Sequence, residues 1–501
     1  MMTIRDRHRG SRDHRTFSLL DPVPDPEHPA AMTIKQIYTG CLAHAAYYLE
    51  SNGEAAIFDP LREVRPYIER ATADKARITY VFETHFHADF VSGHLDLAAN
   101  TGAIIVYGPT ARPAFAAHVA TDGEVFRIGK AKVKAIHTPG HTMESTTYLL
   151  IDEEGREHGI ITGDTLFIGD VGRPDLAQHV IADLTEEKLA GHLYDSLRNK
   201  IMPLDDQLIV YPNHGAGSAC GKMMSKETTD TLGNQKRTNY ALDPKLSKED
   251  FIKAVLSGLT PPPGYFPMNV LMNIRGCESL DSVMARGKRP LSVAEFEVVA
   301  NEERPLVLDT RSGAEFAQGF IPNSINIGLD SNFAMWVGEM IPDIKQAILL
   351  VAAPGKEEES IIRLSRVGYD NPIGYLDGGF EAWKRAGKGI DSVTRITADE
   401  FAVRYADKPP VFDVRKKSEF DSEHVVGAIN TPLNRINDHL AEFPKDKPFI
   451  LHCAGGYRSM IAASILKARG WDNLVDVQGG FTAIKNTPVE RTTFSFPTTL
   501  L

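Results

Sequence analysis

The stretch from Thr84 to His94 constrains the fold of the first half of the chain most strongly. It reads T-H-F-H-A-D-F-V-S-G-H and follows an apolar run, Ile78 to Phe82, that is typical of a buried strand. Potential metal ligands stand at alternate positions: His85, His87 and Asp89. Side chains two residues apart in an extended segment point to the same side. We therefore expect the three side chains to converge on one point; the alternative is a polar loop with solvated histidines.

Three further candidate ligands follow in order along the chain. They are His141 in H-T-P-G-H-T, Asp164 in T-G-D-T-L-F and His214 in Y-P-N-H-G. Each comes after a short β-like run and begins a turn. With these four motifs in this order, the sequence resembles the metallo-β-lactamase superfamily over about residues 33 to 240. The resemblance implies an αββα sandwich with its metals at one edge.

Length, charge and cysteine content narrow the classes of function. A chain of 501 residues is long enough for about two to four domains. Its 55 basic and 66 acidic residues give a net charge of −11, which argues against nucleic acid or an acidic membrane as the main partner. No apolar run reaches the roughly 18 residues of a membrane span. The scattered cysteines form no disulfide framework, which fits a reducing cytoplasm; they are Cys41, Cys220, Cys277 and Cys453.

Changes in composition divide the chain into segments. Residues 1–31 mix basic and acidic side chains with a proline-rich stretch, so we expect a disordered extension. Residues 32–245 form the predicted metal domain. Residues 246–288 contain three consecutive prolines and are predicted to be a linker that packs on neighbouring domains. The remaining segments are predicted to be two α/β domains and a tail, at residues 289–389, 390–489 and 490–501.

An internal repeat predicts the two C-terminal α/β domains. D-T-R-S-G-A-E-F at residues 309–316 matches D-V-R-K-K-S-E-F at 413–420, and G-G-F at 378–380 matches G-G-F at 479–481. Each copy alternates short β-like runs with helical stretches, which predicts a parallel sheet. Both copies resemble the rhodanese domain. The predicted architecture is therefore an αββα sandwich followed by two rhodanese-like α/β domains.

The resemblance also indicates how many metals to expect. In two-metal members of the superfamily, the second site uses an aspartate, the residue directly after it, and the last histidine. The first site takes the paired and the third histidines, and a further aspartate bridges the two sites. Here Phe90 follows Asp89, and its ring has no lone pair to donate. We therefore predict a mononuclear centre.

One metal held by two histidines and one carboxylate is the arrangement of non-haem Fe(II) enzymes, with open positions for substrate and O2. The motifs resemble those of the persulfide dioxygenases, and the domain order resembles the persulfide dioxygenase–rhodanese fusion proteins. The resemblance implies one Fe(II) per chain, held by His85, His141 and Asp164, and oxidation of a thiol persulfide by O2 to sulfite. The carrier thiol stays open among glutathione, coenzyme A and other small thiols. Candidates beside the metal rather than on it are His87, Asp89 and His214.

Cys453 begins a second candidate site. Phe449 to His452 predicts a buried strand, and a helix is predicted from about Met460 to Ala468. The loop between them, C-A-G-G-Y-R-S, resembles the rhodanese active loop. Its glycines let backbone N–H groups turn toward the sulfur, and the helix N-terminus and Arg458 add positive charge. These features favour a thiolate that passes sulfur to sulfite and gives thiosulfate.

The first repeat copy lacks this cysteine. Val351 to Ala353 occupy the matching positions, and Glu357 to Glu359 stand where a basic cradle would be needed. We therefore predict that residues 289–389 form an inactive copy.

Other residues have weaker signals. Cys220 follows His214 closely and is predicted to lie near the metal, either as a redox or relay cysteine or as a small buried residue. Arg173 and Arg275 are candidates for binding carboxylates or phosphates of the carrier thiol. A homo-oligomer is expected.

Two other functions stay open at the level of sequence. A zinc-dependent thiolester hydrolase of the glyoxalase II type needs two metals, which Phe90 disfavours. A non-catalytic carrier or sensor of sulfane sulfur would use Cys453 alone and would leave the metal ligands without a purpose. The leading hypothesis is a bifunctional enzyme of sulfide detoxification, a persulfide dioxygenase joined to a sulfurtransferase.

Overall fold

A computed structural model describes residues 32–176, 184–259 and 261–495. The predicted N-terminal extension, residues 1–31, and the end of the predicted tail lie outside the described residues. Within the described ranges, no helix combines the length and the apolar character that a membrane crossing requires.

Two mixed sheets form the first domain. The first sheet comprises β1 (Thr33–Thr39), β2 (His44–Ser51), β3 (Glu54–Phe58), β4 (Arg77–Phe82), β5 (Ile104–Tyr107) and β6 (His118–Val119). The second comprises β7 (Val125–Ile128), β8 (Ala131–His137), β9 (Thr146–Ile151), β10 (Glu157–Gly163), β11 (Ile209–Pro212) and β12 (Asp230–Thr231). In each sheet, strands that follow one another in the chain are neighbours. Strand β2 is buried along nearly its whole length, as expected for a sheet covered on both faces.

Helices cover the outer face of each sheet. They are α1 (Arg65–Ala73) and α2 (His94–Thr101) on the first sheet, and α3 (Glu186–Ser196), α4 (Leu232–Thr238) and α5 (Lys248–Leu256) on the second. A π-helical turn, Leu197–Ile201, continues α3, and a short 3₁₀ turn covers Tyr240–Leu242. Aromatic side chains such as Phe82 and Tyr148 fill the space between the sheets. The predicted αββα sandwich is confirmed.

The segment between the first and second domains contains helices rather than extended chain. Helix α5 packs on α3, and it is followed by α6 (Phe266–Arg275) and α7 (Leu280–Gly287). Proline at the start of α6 suits a position where a missing N–H costs nothing. Asn273 on α6 hydrogen-bonds the loop that carries the candidate metal ligands. This segment therefore supports the first domain directly.

Each repeat copy folds around a five-stranded parallel sheet, as predicted. The first copy has strands β13 (Pro290–Leu291), β14 (Leu306–Asp309), β15 (Ile325–Asn326), β16 (Ile348–Val351) and β17 (Pro372–Leu376), and helices α8 (Val293–Glu302), α9 (Gly313–Gln318), α10 (Phe333–Met340), α11 (Glu357–Ser365) and α12 (Gly379–Arg385). The second has β18 (Thr394–Ile396), β19 (Val411–Asp413), β20 (Ile429–Asn430), β21 (Phe449–His452) and β22 (Leu474–Val477), helices α13 (Ala398–Tyr405), α14 (Lys417–Ser422), α15 (Tyr457–Ala468) and α16 (Gly480–Ile484), and a 3₁₀ segment, Leu433–Glu442.

The repeated sequence motif has a structural role in both copies. Arg311 pairs with Asp309 and lies 4.2 Å from the ring of Phe380. Arg415 pairs with Asp413 in the same way and lies 3.9 Å from the ring of Phe481. The D-x-R and G-G-F motifs therefore stabilise each domain through a buried ion pair and a cation–π contact, so their presence does not distinguish an active copy from an inactive one.

Polar contacts join the three domains. Buried Arg62 of the first domain forms an ion pair with Asp370 at 3.0 Å, and Arg366 pairs with Glu63. Tyr457, at the start of α15, donates its hydroxyl to the carbonyl of Gly328 in the first copy at 2.7 Å. The candidate sites of the first and third domains are therefore held in a packed assembly of the whole chain.

Candidate metal centre and cysteine loop

The structure brings together His85, His141 and Asp164, whose candidate ligand atoms all lie within 4.8 Å of one another. His141 Nε2 is 3.4 Å from Asp164 Oδ2, and His85 Nε2 is 3.9 Å from the same oxygen. All three residues are buried, and neither carboxylate oxygen of Asp164 has a hydrogen-bond partner among the described residues. A buried carboxylate without a partner is costly, whereas a cation would satisfy it. The donor set therefore fits a metal ion.

Hydrogen bonds fix which nitrogen of each histidine faces the cluster. His141 Nδ1 donates to the carbonyl of Arg173 at 2.8 Å, and His85 Nδ1 lies 3.0 Å from Thr84 Oγ1. The Thr84 hydroxyl donates to Asp59, so its oxygen is available to accept from His85. Both Nε2 lone pairs then face Asp164, as in metal sites whose ligands are oriented from behind. Burial, followed by the neighbouring histidines, lowers the pKa of His85 well below its ordinary value, which keeps the ring neutral.

His87 does not join this cluster, so the expected convergence of His85, His87 and Asp89 is wrong. The loop after β4 bends rather than continuing as extended chain, and the alternation rule applies only to extended chain. His87 Nε2 instead lies 2.9 Å from Asp59 Oδ1 and 3.5 Å from Glu83 Oε2. Its ring remains 4.2 Å from that of His85. His87 thus packs behind the candidate centre.

Asp89 belongs to a neighbouring cluster with His214 and Cys220. His214 Nε2 lies 3.5 Å from Asp89 Oδ2 and 3.6 Å from Asp164 Oδ1, so Asp164 stands between the two clusters. Cys220 is buried, and burial, followed by the charges of Asp89 and Asp164, raises the pKa of its thiol well above the ordinary value. Near neutral pH the Cys220 thiol is therefore protonated in this arrangement.

Phe90 is fully buried between two histidine rings. Its centroid lies 4.3 Å from that of His44 and 4.3 Å from that of His87. Asn273 donates to the carbonyl of Phe90 and to that of His87, both at 2.8 Å, and accepts from the N–H of Ser92 at 2.9 Å. The phenyl ring therefore occupies a tightly defined position in the ligand loop.

Sequence reasoning missed the residues that support this loop. Asp59 accepts from Thr84 and lies against His87, and Asn273 holds the loop from α6. Gly172 is equally constrained, because an added Cβ would lie 2.1 Å from the carbonyl oxygen of Asp164. Asp59 and Asn273 belong to no recognisable spacing, and only the fold brings them to the site. Gly172 lies in the T-G-D-T-L-F-I-G-D-V-G-R-P-D run, which carries part of the resemblance, but the sequence does not indicate its role in the turn.

The cysteine loop lies between β21 and α15. Cys453 is buried, and its sulfur accepts a hydrogen bond from the N–H of Gly456 at 3.1 Å. Gly456 has φ +104°, and a Cβ at Gly480 would lie 2.5 Å from the carbonyl oxygen of Cys453. Helix α15 begins at Tyr457, earlier than the expected start near Met460, so its positive end lies closer to the sulfur. Glycine backbone and helix N-terminus together place a backbone N–H and positive potential beside the sulfur.

Arg458 forms an ion pair with Glu419, so its positive charge is shared between that carboxylate and the surroundings of the Cys453 sulfur. Its Nη1 and Nη2 donate to the two carboxylate oxygens of Glu419 at 2.6 and 2.8 Å. Although burial alone would raise it, this ion pair holds the pKa of the Glu419 carboxyl below its ordinary value. The positive charge that sequence analysis assigned to the Cys453 cradle is therefore partly offset.

Ala352 occupies the place of Cys453 in the first copy. A Cβ at Gly379 would lie 3.0 Å from the carbonyl oxygen of Ala352. In the second copy, a Cβ at Gly480 would lie 2.5 Å from the carbonyl oxygen of Cys453, so the two positions correspond. Glu357 to Glu359 form the first turn of α11, and Glu359 pairs with Lys356 and Arg363. This copy thus presents neither a thiol nor an open basic turn at the matching position.

Two cavities adjoin these sites. A cavity of about 260 Å³ borders Asp89, and one of about 600 Å³ borders Cys453 and Arg458. Arg173 lines the larger cavity, and its side chain pairs with Asp175. Arg275 is exposed at the end of α6 and is not among the described residues that line either cavity.

The fold and the two sites define a metal-binding αββα domain joined to two sulfurtransferase-type domains. The chain belongs to the metallo-beta-lactamase superfamily, whose model matches residues 39–214. The rhodanese-like domain model matches residues 292–386 and 397–487.

Several known proteins are similar. A crystal structure of a metallo-beta-lactamase from Staphylococcus aureus subsp. aureus COL shares 32% identity and covers 69% of this chain and 99% of that one, with a TM-score of 0.62. A probable hydroxyacylglutathione hydrolase of Schizosaccharomyces pombe is 29% identical over 195 residues, 38% of this chain and 71% of that protein. The structure of ETHE1 from Myxococcus xanthus shares 27% identity and covers 48% of this chain and 98% of that one, with a TM-score of 0.41.

Proposed function

We propose that this protein is a bifunctional enzyme of sulfide detoxification, in which the first domain oxidises a thiol persulfide to sulfite and the last domain converts sulfite to thiosulfate. One observation carries the proposal: a buried cluster of two histidines and one carboxylate stands beside Phe90, where a second metal would need a ligand. Two histidines and a carboxylate with open positions suit non-haem Fe(II). The resident cofactor is accordingly one Fe(II) per chain.

The first reaction is R-S-SH + O2 + H2O → R-SH + SO3²⁻ + 2 H⁺. Fe(II), when bound, would supply the redox chemistry for oxidation of the persulfide by O2. The chain itself presents the Nε2 atoms of His85 and His141 and the carboxylate of Asp164. The carbonyl of Arg173 and the hydroxyl of Thr84 hold the two rings in place. Burial of these groups keeps bulk water away from the reacting sulfur.

The second reaction takes place at Cys453. Its thiolate attacks the outer sulfur of a second persulfide, the S–S bond breaks, and the thiol leaves as R-S⁻ and takes up the proton. Sulfite then attacks the outer sulfur of the Cys453 persulfide: Cys453-S-S⁻ + SO3²⁻ → Cys453-S⁻ + S-SO3²⁻. The N–H of Gly456 stabilises the thiolate in both steps.

The free cysteines of the described chain fit a reducing compartment such as the cytoplasm.

A second candidate function rests on the neighbouring cluster. Asp89, His214 and Cys220 have ligand atoms within 4.8 Å of one another, and Asp164 lies between this cluster and the first. Two zinc ions held there would suit hydrolysis of a glutathione thiolester, the activity that the name of the Schizosaccharomyces pombe relative states for that protein. Phe90 weakens this candidate but does not remove these three ligands.

The decisive experiment uses the full chain loaded anaerobically with iron, and separately with zinc. Glutathione persulfide is added in air, and O2 uptake, sulfite and thiosulfate are measured together, while a glutathione thiolester is tested in parallel. We expect O2 uptake with iron, and its loss in Asp164→Ala while sulfur transfer from persulfide to added sulfite continues. Two tightly bound zinc ions with rapid thiolester hydrolysis, and no O2 uptake with iron, would overturn the proposal.

A further inference from the structure

The two cavities share a wall. The smaller cavity contains Asp89 beside the candidate metal centre, and the larger contains the Cys453 loop. The residues that line both are Gly217, Ser218, Ala219, Asn332 and Met335. Three of these five lie in the loop between His214 and Cys220 and have small side chains. The shared wall therefore consists of three small residues of this loop together with Asn332 and Met335.

The larger cavity has a charge of one sign. Among the described residues that line it, the charged ones are Arg173, Lys222, Lys416 and Arg458. Arg173 and Arg458 pair with carboxylates, whereas the Nζ of Lys222 donates to the carbonyls of Ala254 and Ser257 and Lys416 is exposed. A cleft lined by one sign of charge concentrates ions of the opposite sign. The cavity is therefore suited to a small anion.

Arg173 contacts the candidate metal centre and also lines the cavity of Cys453. Its carbonyl accepts from His141, its N–H donates to the carbonyl of Cys220 at 2.9 Å, and its Nη1 donates to the carbonyl of Ala219 at 3.3 Å. The same residue thus orients a candidate metal ligand, fixes the shared loop and lines the Cys453 cavity. The backbone of the shared loop contains Gly217 at φ +109°, a conformation that larger residues rarely adopt.

We propose that the two cavities form one path, along which sulfite made at the metal centre reaches the Cys453 persulfide of the same chain before it mixes with bulk solvent. The inference rests on the proposed function and adds to it the route of the shared intermediate. Sulfite is a small anion near neutral pH, so the basic lining retains it. The step at the end of the path is the attack on the Cys453 persulfide written above, with the Cys453 thiolate as the leaving group.

The test uses the iron-loaded full chain, unlabelled glutathione persulfide, and added sulfite that carries a heavy sulfur isotope. Thiosulfate then contains label only where its sulfonate sulfur came from the added pool, and mass spectrometry gives that fraction. We expect the labelled fraction of thiosulfate in the unaltered protein to lie well below that of bulk sulfite. In Lys222→Met and in Lys416→Glu the fraction should rise toward the bulk value. Lys417→Glu is the matched control, because Lys417 pairs with Asp421 and does not line the cavity.

The outcomes separate this inference from the proposed function. Thiosulfate labelled to the bulk fraction in the unaltered protein would overturn the confined path, and exclusion of label that both cavity substitutions leave unchanged would overturn the role of the basic lining. Sulfite production is measured through O2 uptake and total product in parallel samples that receive no added sulfite. Its absence would instead overturn the proposed function.

Discussion

His141 donates its Nδ1–H to the backbone carbonyl of Arg173 at 2.8 Å. The carbonyl sits at the end of a turn in which the N–H of Gly172 donates to the carbonyl of Asp164 at 3.0 Å. One turn therefore positions two of the three clustered candidate ligands. The same Arg173 lines the cavity of Cys453, so this turn is connected to both candidate sites.

Gly172→Ala tests the turn. Its Cβ would lie 2.1 Å from the carbonyl oxygen of Asp164 and 3.0 Å from Nδ1 of His141, so the two ligands must separate. Outer partners of metal ligands typically contribute about 10–100-fold in metal affinity, and we expect a loss of that order in an iron-binding titration. Gly389→Ala is the control, since its Cβ would meet nothing within 4 Å. Equal iron affinity in both variants would contradict the prediction.

Phe90→His tests the metal count. The new imidazole would stand next to Asp89, whose cluster partners are His214 and Cys220. We expect metal content to rise from one toward two zinc ions per chain, measured by elemental analysis after dialysis. Without zinc, the buried polar ring should lower the free energy of unfolding by about 1–3 kcal/mol. Phe90→Leu removes the ring without adding a ligand, so its zinc content should remain at one ion per chain. A rise in zinc content in this variant too would show that the phenyl ring blocks the second site only by its size.

The sequence predicted the elements whose signals are local. The internal repeat predicted two parallel-sheet domains. The αββα sandwich, by contrast, was implied by the resemblance that the ordered histidine and aspartate motifs carry. His85, His141 and Asp164 were grouped through the resemblance, and the structure brings them within 4.8 Å of one another. The alternation rule wrongly put His87 at the same point as His85, because the rule assumes extended chain, whereas the loop bends toward Asp59. The resemblance placed His87 beside the metal rather than on it, which agrees with its position next to His85.

Long-range partners account for the other differences. Asn273 lies in the segment taken as a linker, and no local pattern indicates that its amide holds the carbonyls of the ligand loop. Glu419 belongs to the repeated E-F motif, yet its ion pair with Arg458 depends on how α14 and α15 meet in the folded domain. Such contacts between residues far apart in the chain cannot be read from spacing.

Glu419→Gln tests how far the Arg458 charge reaches. Removing the carboxylate leaves the guanidinium without its ion-pair partner, and a nearby positive charge favours a reactive thiolate. We expect iodoacetamide to alkylate Cys453 a few-fold faster in this variant than in the unaltered protein at neutral pH. The rate is measured by mass spectrometry of the peptide that contains Cys453. Asp421→Asn serves as the control, since Asp421 pairs with exposed Lys417 on the same helix. An unchanged rate in Glu419→Gln would mean that the Arg458 charge does not act on the sulfur.

Ala352→Cys tests the proposal that the first copy is inactive. The substitution is made in a Cys453→Ser background, so that any sulfur transfer must come from the new thiol. Glu357 to Glu359 form the adjacent helix turn and oppose a thiolate there. We expect no transfer of sulfur from glutathione persulfide to sulfite above the level of Cys453→Ser alone. A clear gain would show that the missing cysteine is the only defect of this copy.

Cys453→Ser is the test that joins the two ends of the chain. A serine oxygen can accept the N–H of Gly456 as the sulfur does, so the loop should keep its shape. The hydroxyl is barely ionised near neutral pH and is a far weaker nucleophile than a thiolate. The metal centre uses no residue of this loop, so O2 uptake should remain close to that of the unaltered protein. Chromatography of the products should then show sulfite in place of thiosulfate.

The alternatives to that outcome are distinct. Cys220→Ser is measured beside it, because Cys220 is the other buried cysteine and lies next to Asp89. Thiosulfate made at the normal rate by Cys453→Ser, but not by Cys220→Ser, would place the transfer at Cys220. The high pKa of that thiol, caused by burial and the flanking carboxylates, disfavours such a role because it keeps the sulfur protonated. Loss of O2 uptake in Cys453→Ser would show instead that the metal centre depends on the third domain, through the loop and cavity wall that they share.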